Sequence, residues 1–212
     1  MGARAAIVVA AGGGRRFGAA KQFLPLGPRR LVDHAVAAAA AACDQVVVVL
    51  PADTSWDGAP VTAAVPGGAT RAESVRAGLA ALGRDVDVVV VHDAARPLAT
   101  PALFHAVIDA VLDGADAAVP GVPIVDTIKR VDGDHVVATV SRDDLVAVQT
   151  PQAFRAKALR AAHADGRDAT DDAALLEAVG GTVVVVAGDP RNLKVTTVAD
   201  LIVAATLLEA GP

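Results

Sequence analysis

The chain is poor in cysteine, the residue that crosslinks proteins and binds structural zinc. Its 212 residues include one cysteine, Cys43. A single cysteine excludes an intrachain disulfide and makes a cysteine-based zinc site implausible. Because Cys43 ends an alanine-rich run, we expect it to be a buried core thiol.

Long hydrophobic runs and an excess of positive charge are also missing. No run reaches the roughly 18 apolar residues of a membrane-spanning helix. The apolar run 4–11 leads straight into glycines and arginines, which is not typical of a signal peptide. We therefore expect a cytoplasmic protein with no membrane partner. The formal net charge of -5 argues against a nucleic-acid partner, so any phosphate site must be a local cluster.

Apolar runs alternate with alanine-rich runs along the first half of the chain. The runs 5–10, 45–51 and 85–93 predict strands that are covered on both faces, and 31–43, 70–82 and 100–114 predict helices. Thr70 and Glu73 predict a capping box at the start of the second helix. This βαβα order predicts an α/β fold, a Rossmann-like three-layer sandwich with a mostly parallel sheet. We expect a single domain over residues 1–212.

The second half continues with a different pattern. Residues 120–148 alternate with period two around a turn signal at 132–134, which predicts a β-hairpin arm spanning about 121–147. Such an arm is marginally stable alone, so we expect a homodimer that packs through it. Helices are predicted at 151–166, 170–181 and 197–210, a strand at 182–189, and a short strand or loop at 192–197.

A glycine-rich segment, "AAGGGRRFGAAKQF" (10–23), follows the first predicted strand. It fails as a dinucleotide fingerprint at Phe17, which stands where the last glycine is required. It fails as a Walker loop at Ala19-Ala20, where lysine and serine or threonine are required. Arginine and lysine beside closely approaching backbone N–H groups suit a triphosphate. The alternative is a tight turn with solvated arginines.

Six further segments of the chain, together with this loop, match the sequence pattern of one enzyme family. They are "GGATRAESVRAGL" (67–79), "VHDAARP" (91–97), "DTIKRV" (126–131), "TPQAF" (150–154), "TDDA" (170–173) and "NLKVTT" (192–197). Together, and in this order, they resemble the sugar-phosphate cytidylyltransferases, in particular the branch that acts on 2-C-methyl-D-erythritol 4-phosphate in non-mevalonate isoprenoid synthesis. The resemblance covers nearly the whole chain. The stretch between Phe17 and Lys21 is shorter than in the family pattern.

The resemblance implies a reaction: a sugar-alcohol phosphate attacks the α-phosphate of CTP, with Mg²⁺ as cofactor, and pyrophosphate leaves. Because the nucleophile is already anionic, catalysis should consist of positioning and charge neutralisation. No general base is needed, so His92 should be structural. Alternatives are a ribitol 5-phosphate or other polyol-phosphate cytidylyltransferase, and a non-catalytic nucleotide-binding module. A dinucleotide-dependent oxidoreductase is disfavoured because the dinucleotide fingerprint fails at Phe17. A second domain of the size found in fused bifunctional relatives is lacking, so we expect one activity.

The resemblance also implies a role for each matched residue. Catalytic roles fall to Arg16, Lys21 and Lys194. Asp93, at the carboxyl end of a predicted strand, would hold the metal; the alternative is a helix N-cap. The acceptor would be contacted by Arg96, Thr127, Arg142 and Thr150, with Thr127 and Arg142 acting from the arm across the dimer. CTP would be contacted by Ala10, Ala11, Gly12, Gly13, Gly14, Arg15, Gly67, Arg71, Ser74 and Ala94.

Two of the matched segments also have plain structural alternatives. Arg71 and Ser74 could instead be helix surface and cap. Thr170-Asp171-Asp172 most simply predicts a helix N-cap with acids in the first turn.

Overall fold

The computed structural model describes residues 2–12 and 20–211. The strands are β1 Ala3–Val9, β2 Pro25–Leu26, β3 Arg29–Arg30, β4 Gln45–Leu50, β5 Ala63–Pro66, β6 Val86–Asp93, β7 Ala117–Pro123, β8 Ile128–Asp132, β9 His135–Val140, β10 Val146–Val148, β11 Gln152–Arg155 and β12 Val183–Ala187. The α-helices are α1 Leu31–Ala40, α2 Arg71–Ala80, α3 Pro101–Leu112, α4 Ala156–Ala162, α5 Asp172–Glu177 and α6 Val198–Glu209. A 3₁₀ helix spans Lys21–Phe23.

One large sheet forms the middle layer, in the order β12-β7-β11-β6-β1-β4-β5. β1 is parallel to β4 and β6, β4 to β5, and β7 to β12, whereas β11 and β10 run antiparallel to their neighbours. β10 pairs with the half of β7 that β11 leaves open. The predicted mostly parallel sheet is confirmed.

Both faces of this sheet are covered. Successive residues of a strand point to opposite faces. In β1, Ala6 and Val8 pack with α1 and α3, whereas Ala5 and Ile7 pack with α2, α4 and α5. Burial on both sides explains why β1, β4 and β6 are continuously apolar. The three-layer prediction is therefore confirmed.

The predicted helix starts are formed as expected. Thr70 Oγ1 accepts from the Glu73 amide at 3.1 Å, and the Glu73 carboxylate accepts from the Thr70 amide at 3.1 Å. Asp171 is the N-cap of α5 and accepts from the Ala174 amide at 2.9 Å. These caps satisfy backbone donors that have no partner inside a helix.

The prediction of one helix over 151–166 is wrong at its start. Residues 152–155 form β11, which lies between β6 and β7, and α4 begins only at Ala156. Ala153 and Phe154 are fully buried there. The local sequence favours a helix, but pairing with two strands distant in the chain determines the structure. The sequence interpretation also missed β5 as a strand.

The arm is a two-stranded hairpin, β8 and β9, joined at Gly133, whose φ is +54°. The ends of the predicted range 121–147 belong to the large sheet, because Gly121 pairs with Val148 and Pro123 with Val146. The projecting part is therefore shorter than that range. Its apolar side chains are largely exposed in the single chain; Val136, for example, is 61% exposed. Across the described ranges, no helix is both long and apolar enough to cross a membrane.

Candidate active site

A cavity of about 470 Å³ opens where the carboxyl ends of β1 and β6 meet the start of α2. Open parallel sheets bind ligands at this edge. The two strands remain hydrogen-bonded at this edge, since the Ala94 amide donates to the Val9 carbonyl at 3.0 Å. Predicted site residues that line the cavity are Ala10, Ala11, Gly12, Lys21, Arg71, Ser74, Asp93, Ala94 and Lys194.

One wall of the cavity depends on a close approach at Gly67. A Cβ on Gly67 would lie 2.4 Å from Ala11 Cβ and 2.7 Å from Ser74 Oγ. Ser74 Oγ donates to the Thr70 carbonyl at 2.9 Å and accepts from the Gly68 amide at 3.2 Å. The glycine thus allows the end of β1 to lie directly against the start of α2. The serine hydroxyl stabilises the turn that leads from β5 into α2.

Three charged side chains meet at the base of the cavity. Asp93 accepts from Arg71 Nε at 3.2 Å and from Lys194 Nζ at 2.6 Å. Burial acts to raise the pKa of Asp93, but the positive charges of Arg71 and Lys194 outweigh it and hold that pKa well below its usual range. Burial likewise acts to lower the pKa of Arg71, but Asp93 and Asp172 outweigh it and raise the pKa. Asp93 and Arg71 are therefore both charged at neutral pH.

Lys21 and Gln22 also line this cavity, from the 3₁₀ helix. Lys21 Nζ donates to the Val195 carbonyl at 2.7 Å. The buried Gln22 amide donates to the carbonyls of Ala10 at 2.6 Å and Gly12 at 3.2 Å. Gln22 thus anchors the beginning of the glycine-rich segment. The sequence interpretation gave Gln22 no role, although a glutamine that follows a candidate catalytic lysine within a matched motif was a usable signal.

A second, smaller cavity of about 180 Å³ lies beside the first and shares Arg71, Asp93 and Lys194 with it. Predicted acceptor contacts Arg96 and Thr150 line this second cavity. Burial lowers the pKa of Arg96, with Asp93 opposing the shift. Within the described part of the chain, Arg96 Nε and Arg71 Nη2 are buried without a hydrogen-bond partner.

Thr150 and His92 form a buried pair beneath the second cavity. His92 Nε2 lies 3.2 Å from the Arg96 carbonyl, which can only accept, so Nε2 carries the proton. His92 Nδ1 therefore accepts from Thr150 Oγ1 at 3.1 Å, and Thr150 Oγ1 in turn accepts from the Asp93 amide at 3.0 Å. Burial lowers the pKa of His92 to about 4, so the ring is neutral at pH 7. A structural role for His92 agrees with this arrangement.

The segment that carries Lys194 has no regular secondary structure and is held by Asn192. The fully buried Asn192 amide donates to the Thr150 carbonyl at 2.9 Å and to Gln149 Oε1 at 3.2 Å. The main-chain carbonyl of Asn192 accepts from Arg96 Nη1 at 2.7 Å. Asn192 and Gln149 thus fix both Lys194 and Arg96. Neither residue was predicted to have a role. Asn192 is the first residue of the matched motif "NLKVTT", and Gln149 directly precedes the matched motif "TPQAF".

The remaining predicted residues fall into two groups. Gly13, Gly14, Arg15 and Arg16 lie outside the described residues. Thr127 and Arg142 are exposed at the arm and line neither cavity, and Arg142 Nη1 donates to the Val125 carbonyl. Their roles stay predictions. Over residues 2–12 and 20–211, no group of three or more His, Cys, Asp or Glu side chains could hold a metal ion.

Comparison with known proteins identifies one family over almost the whole chain. The model of the IspD family, 2-C-methyl-D-erythritol 4-phosphate cytidylyltransferase, matches residues 4–210. The protein of that name from Nocardia farcinica is 45% identical over 221 residues, which cover 98% of this chain and 95% of the relative. A bifunctional enzyme IspD/IspF from Solidesulfovibrio magneticus is 43% identical, and the chain spans 56% of its length.

Solved structures give the same result. The crystal structure of 2-C-methyl-D-erythritol 4-phosphate cytidylyltransferase from Thermus thermophilus has a TM-score of 0.84 at 34% identity, covering 96% of this chain and 98% of that one. The bifunctional IspDF from Campylobacter jejuni has a TM-score of 0.80 at 29% identity, covering 95% of this chain and 54% of that one.

Proposed function

The chain belongs to the 2-C-methyl-D-erythritol 4-phosphate cytidylyltransferase family, and we propose that it transfers CMP from CTP to 2-C-methyl-D-erythritol 4-phosphate. The observation that carries this proposal is the position of Arg71, Asp93 and Lys194, which line both cavities at once. The larger cavity has room for a nucleotide, and the smaller one adjoins it at these charges. Two phosphorylated substrates would therefore meet beside two cations.

The reaction needs no proton transfer from the protein. An ionised oxygen of the acceptor phosphate attacks the α-phosphorus of CTP, the bond to the β-phosphate bridging oxygen breaks, and pyrophosphate leaves with that electron pair. Bringing two anions together is the main electrostatic obstacle. Lys21 and Lys194 supply positive charge to the nucleotide cavity, and Arg16 is expected to add more. The neutral, buried His92 fits a mechanism without a general base.

Magnesium dependence belongs to the same proposal, with Asp93 as the protein ligand. Mg²⁺ is commonly held by one or two carboxylates, substrate phosphates and water. Asp93 fits that role because its carboxylate lines both cavities. In the described part of the chain no three-group cluster accompanies it, so the other ligands would come from CTP and water. A divalent cation bound there would offset negative charge on the triphosphate.

The acceptor site is proposed to be completed by a second copy of the chain. Thr127 and Arg142 line neither cavity of their own chain, and the hairpin beside them exposes valines on both strands. A homodimer that buries this arm would bring both residues to the partner's smaller cavity. Cytoplasmic localisation stays a prediction from the sequence.

The test is pyrophosphate release from CTP with a set of acceptors. Purified protein with Mg²⁺ is given 2-C-methyl-D-erythritol 4-phosphate or ribitol 5-phosphate in parallel reactions. We expect release only with CTP, and fastest with the methylerythritol phosphate. Faster turnover of ribitol 5-phosphate would overturn the proposed acceptor. No pyrophosphate above background from folded dimer would overturn cytidylyl transfer itself.

A further inference from the structure

The row of charges at the cavities continues into the protein interior. Asp172, in the first turn of α5, accepts from Arg71 Nη1 at 2.6 Å. Its other oxygen lies 2.9 Å from His163 Nε2, which must donate because a carboxylate only accepts. Asp172 is 1% exposed and His163 is 4% exposed. Neither lines either cavity, and the hydrogen bond to Arg71 links Asp172 to a side chain that lines both.

The Arg71 guanidinium is divided between two carboxylates from different parts of the fold. Nε contacts Asp93 at the end of β6, and Nη1 contacts Asp172 at the start of α5. An arginine with one carboxylate partner commonly forms two parallel hydrogen bonds to it. Without Asp172, Arg71 could turn to bind both oxygens of Asp93. It would then compete with Lys194, which holds Asp93 Oδ2 at 2.6 Å.

This arrangement is an inefficient way to stabilise a fold. A buried ion pair often contributes no more than apolar residues of similar volume. Here His163 Nδ1 and Arg71 Nη2 are also buried without a partner among the described residues. Apolar packing between α2 and α5 would avoid these costs. The residues are therefore better explained by what they do to Arg71.

We propose that Asp172, oriented by His163, is a positioning residue for cytidylyl transfer: it holds Arg71 so that Asp93 stays shared between Arg71 and Lys194. This inference rests on the proposed function. Loss of Asp172 would misplace the charges at the junction of the two cavities while leaving the rest of the nucleotide cavity in place. The effect should therefore fall on turnover more than on CTP binding.

The first experiment compares Asp172→Asn with Asp168→Asn. Asp168 is a matched control because it also ties this region to α2, accepting from Thr70 Oγ1 at 2.8 Å, yet it does not contact Arg71. We expect kcat of Asp172→Asn to fall about ten- to a hundredfold, with a smaller change in KM for CTP. Asp168→Asn should keep its kcat. Equal losses in both variants, or an unchanged kcat in Asp172→Asn, would overturn the proposal.

A second experiment tests whether Asp172 acts through Arg71. If it does, Asp172→Asn added to Arg71→Lys should lower kcat no further than Arg71→Lys alone, whereas independent effects would multiply. His163→Leu should lower kcat, and His163→Gln should restore it because its amide can donate from a similar place. Multiplying effects, or a His163→Gln as slow as His163→Leu, would contradict positioning.

Thermal unfolding of each variant separates misfolding from mispositioning. If Asp172→Asn does not fold, the two His163 variants decide the question on their own. Wild-type protein that transfers no CMP to any acceptor would overturn the proposed function, and this inference would fall with it. Active wild-type protein with a fully active, folded Asp172→Asn would overturn the inference alone.

Discussion

Replacing Gly67 by alanine should push apart the two elements that form the nucleotide cavity. The new Cβ would lie 2.4 Å from Ala11 Cβ, whereas ordinary contacts between such atoms begin at 3.4 Å. It would also lie 2.7 Å from Ser74 Oγ. Because the Ala11 side chain is a single Cβ atom that no rotation can displace, relief requires the backbone at Ala11 or Gly67 to move.

The structure gives the size of this movement and its expected cost. The shortfall at Ala11 is about 1 Å, and overpacking of this kind typically costs about 1–3 kcal/mol of unfolding free energy. A displacement of about 1 Å in a catalytic site can also cost about a hundredfold in rate. We therefore expect Gly67→Ala to fold, to unfold at a lower denaturant concentration, and to lose most of its kcat/KM for CTP.

The assay combines denaturant unfolding, calorimetric titration of CTP into the folded variant, and kcat/KM for CTP from pyrophosphate release. Gly12→Ala is the control for stability, because its Cβ would meet no atom of the described residues within 4 Å. It should unfold at the same denaturant concentration as the wild type. A Gly67→Ala variant with wild-type stability and wild-type CTP affinity would refute the close approach of β1 and α2 as the basis of the cavity.

Three further predictions concern charge, pH and the arm. Lys194→Met should lower kcat about a hundredfold by removing a cation from the reacting phosphates, and it should also lower stability because the buried Asp93 loses one of its two cationic partners. A retained kcat in the pyrophosphate assay would contradict this. The pKa of His92 lies at about 4 instead of 6.5, so between these values the unfolded chain binds a proton that the folded chain excludes. The free energy of unfolding should therefore decrease as the pH falls through that window, by about 3 kcal/mol for this group. Urea unfolding of His92→Asn should show a smaller decrease over the same pH range. An equal decrease would argue against His92 as the cause. Arg142→Met, or Thr127→Ala, should raise KM for the acceptor without changing CTP affinity, and equal losses of both would mean that the arm is only structural.

Sequence reasoning succeeded for elements whose signal is local. β1, β4 and β6 are continuously apolar because both of their faces are buried, and α2 begins at a capping box that four residues define. β11 has no such signal. It is a strand because β6 and β7 lie on either side of it, and no short window of sequence contains that information.

The candidate site divides in the same way. Arg71, Asp93 and Lys194 could be named from motifs, but Lys194 and Asp93 are 101 residues apart, so their ion pair could not be read from spacing. Asp172 was expected only as an acid in the first turn of a helix. Its contacts with Arg71 and His163 depend on how α5 packs against α2, and the same holds for Gln22 and its carbonyl partners.

Direct transfer of CMP between the two substrates is tested most directly by isotope labelling. The acceptor, 2-C-methyl-D-erythritol 4-phosphate, is prepared with heavy oxygen in its phosphate, and the products formed with CTP and Mg²⁺ are followed by phosphorus NMR and mass spectrometry. Attack of an acceptor phosphate oxygen on the α-phosphorus predicts a product with one labelled oxygen in its new P–O–P bridge, and pyrophosphate without label. Labelled pyrophosphate, or CMP and pyrophosphate without the joined product, would contradict it.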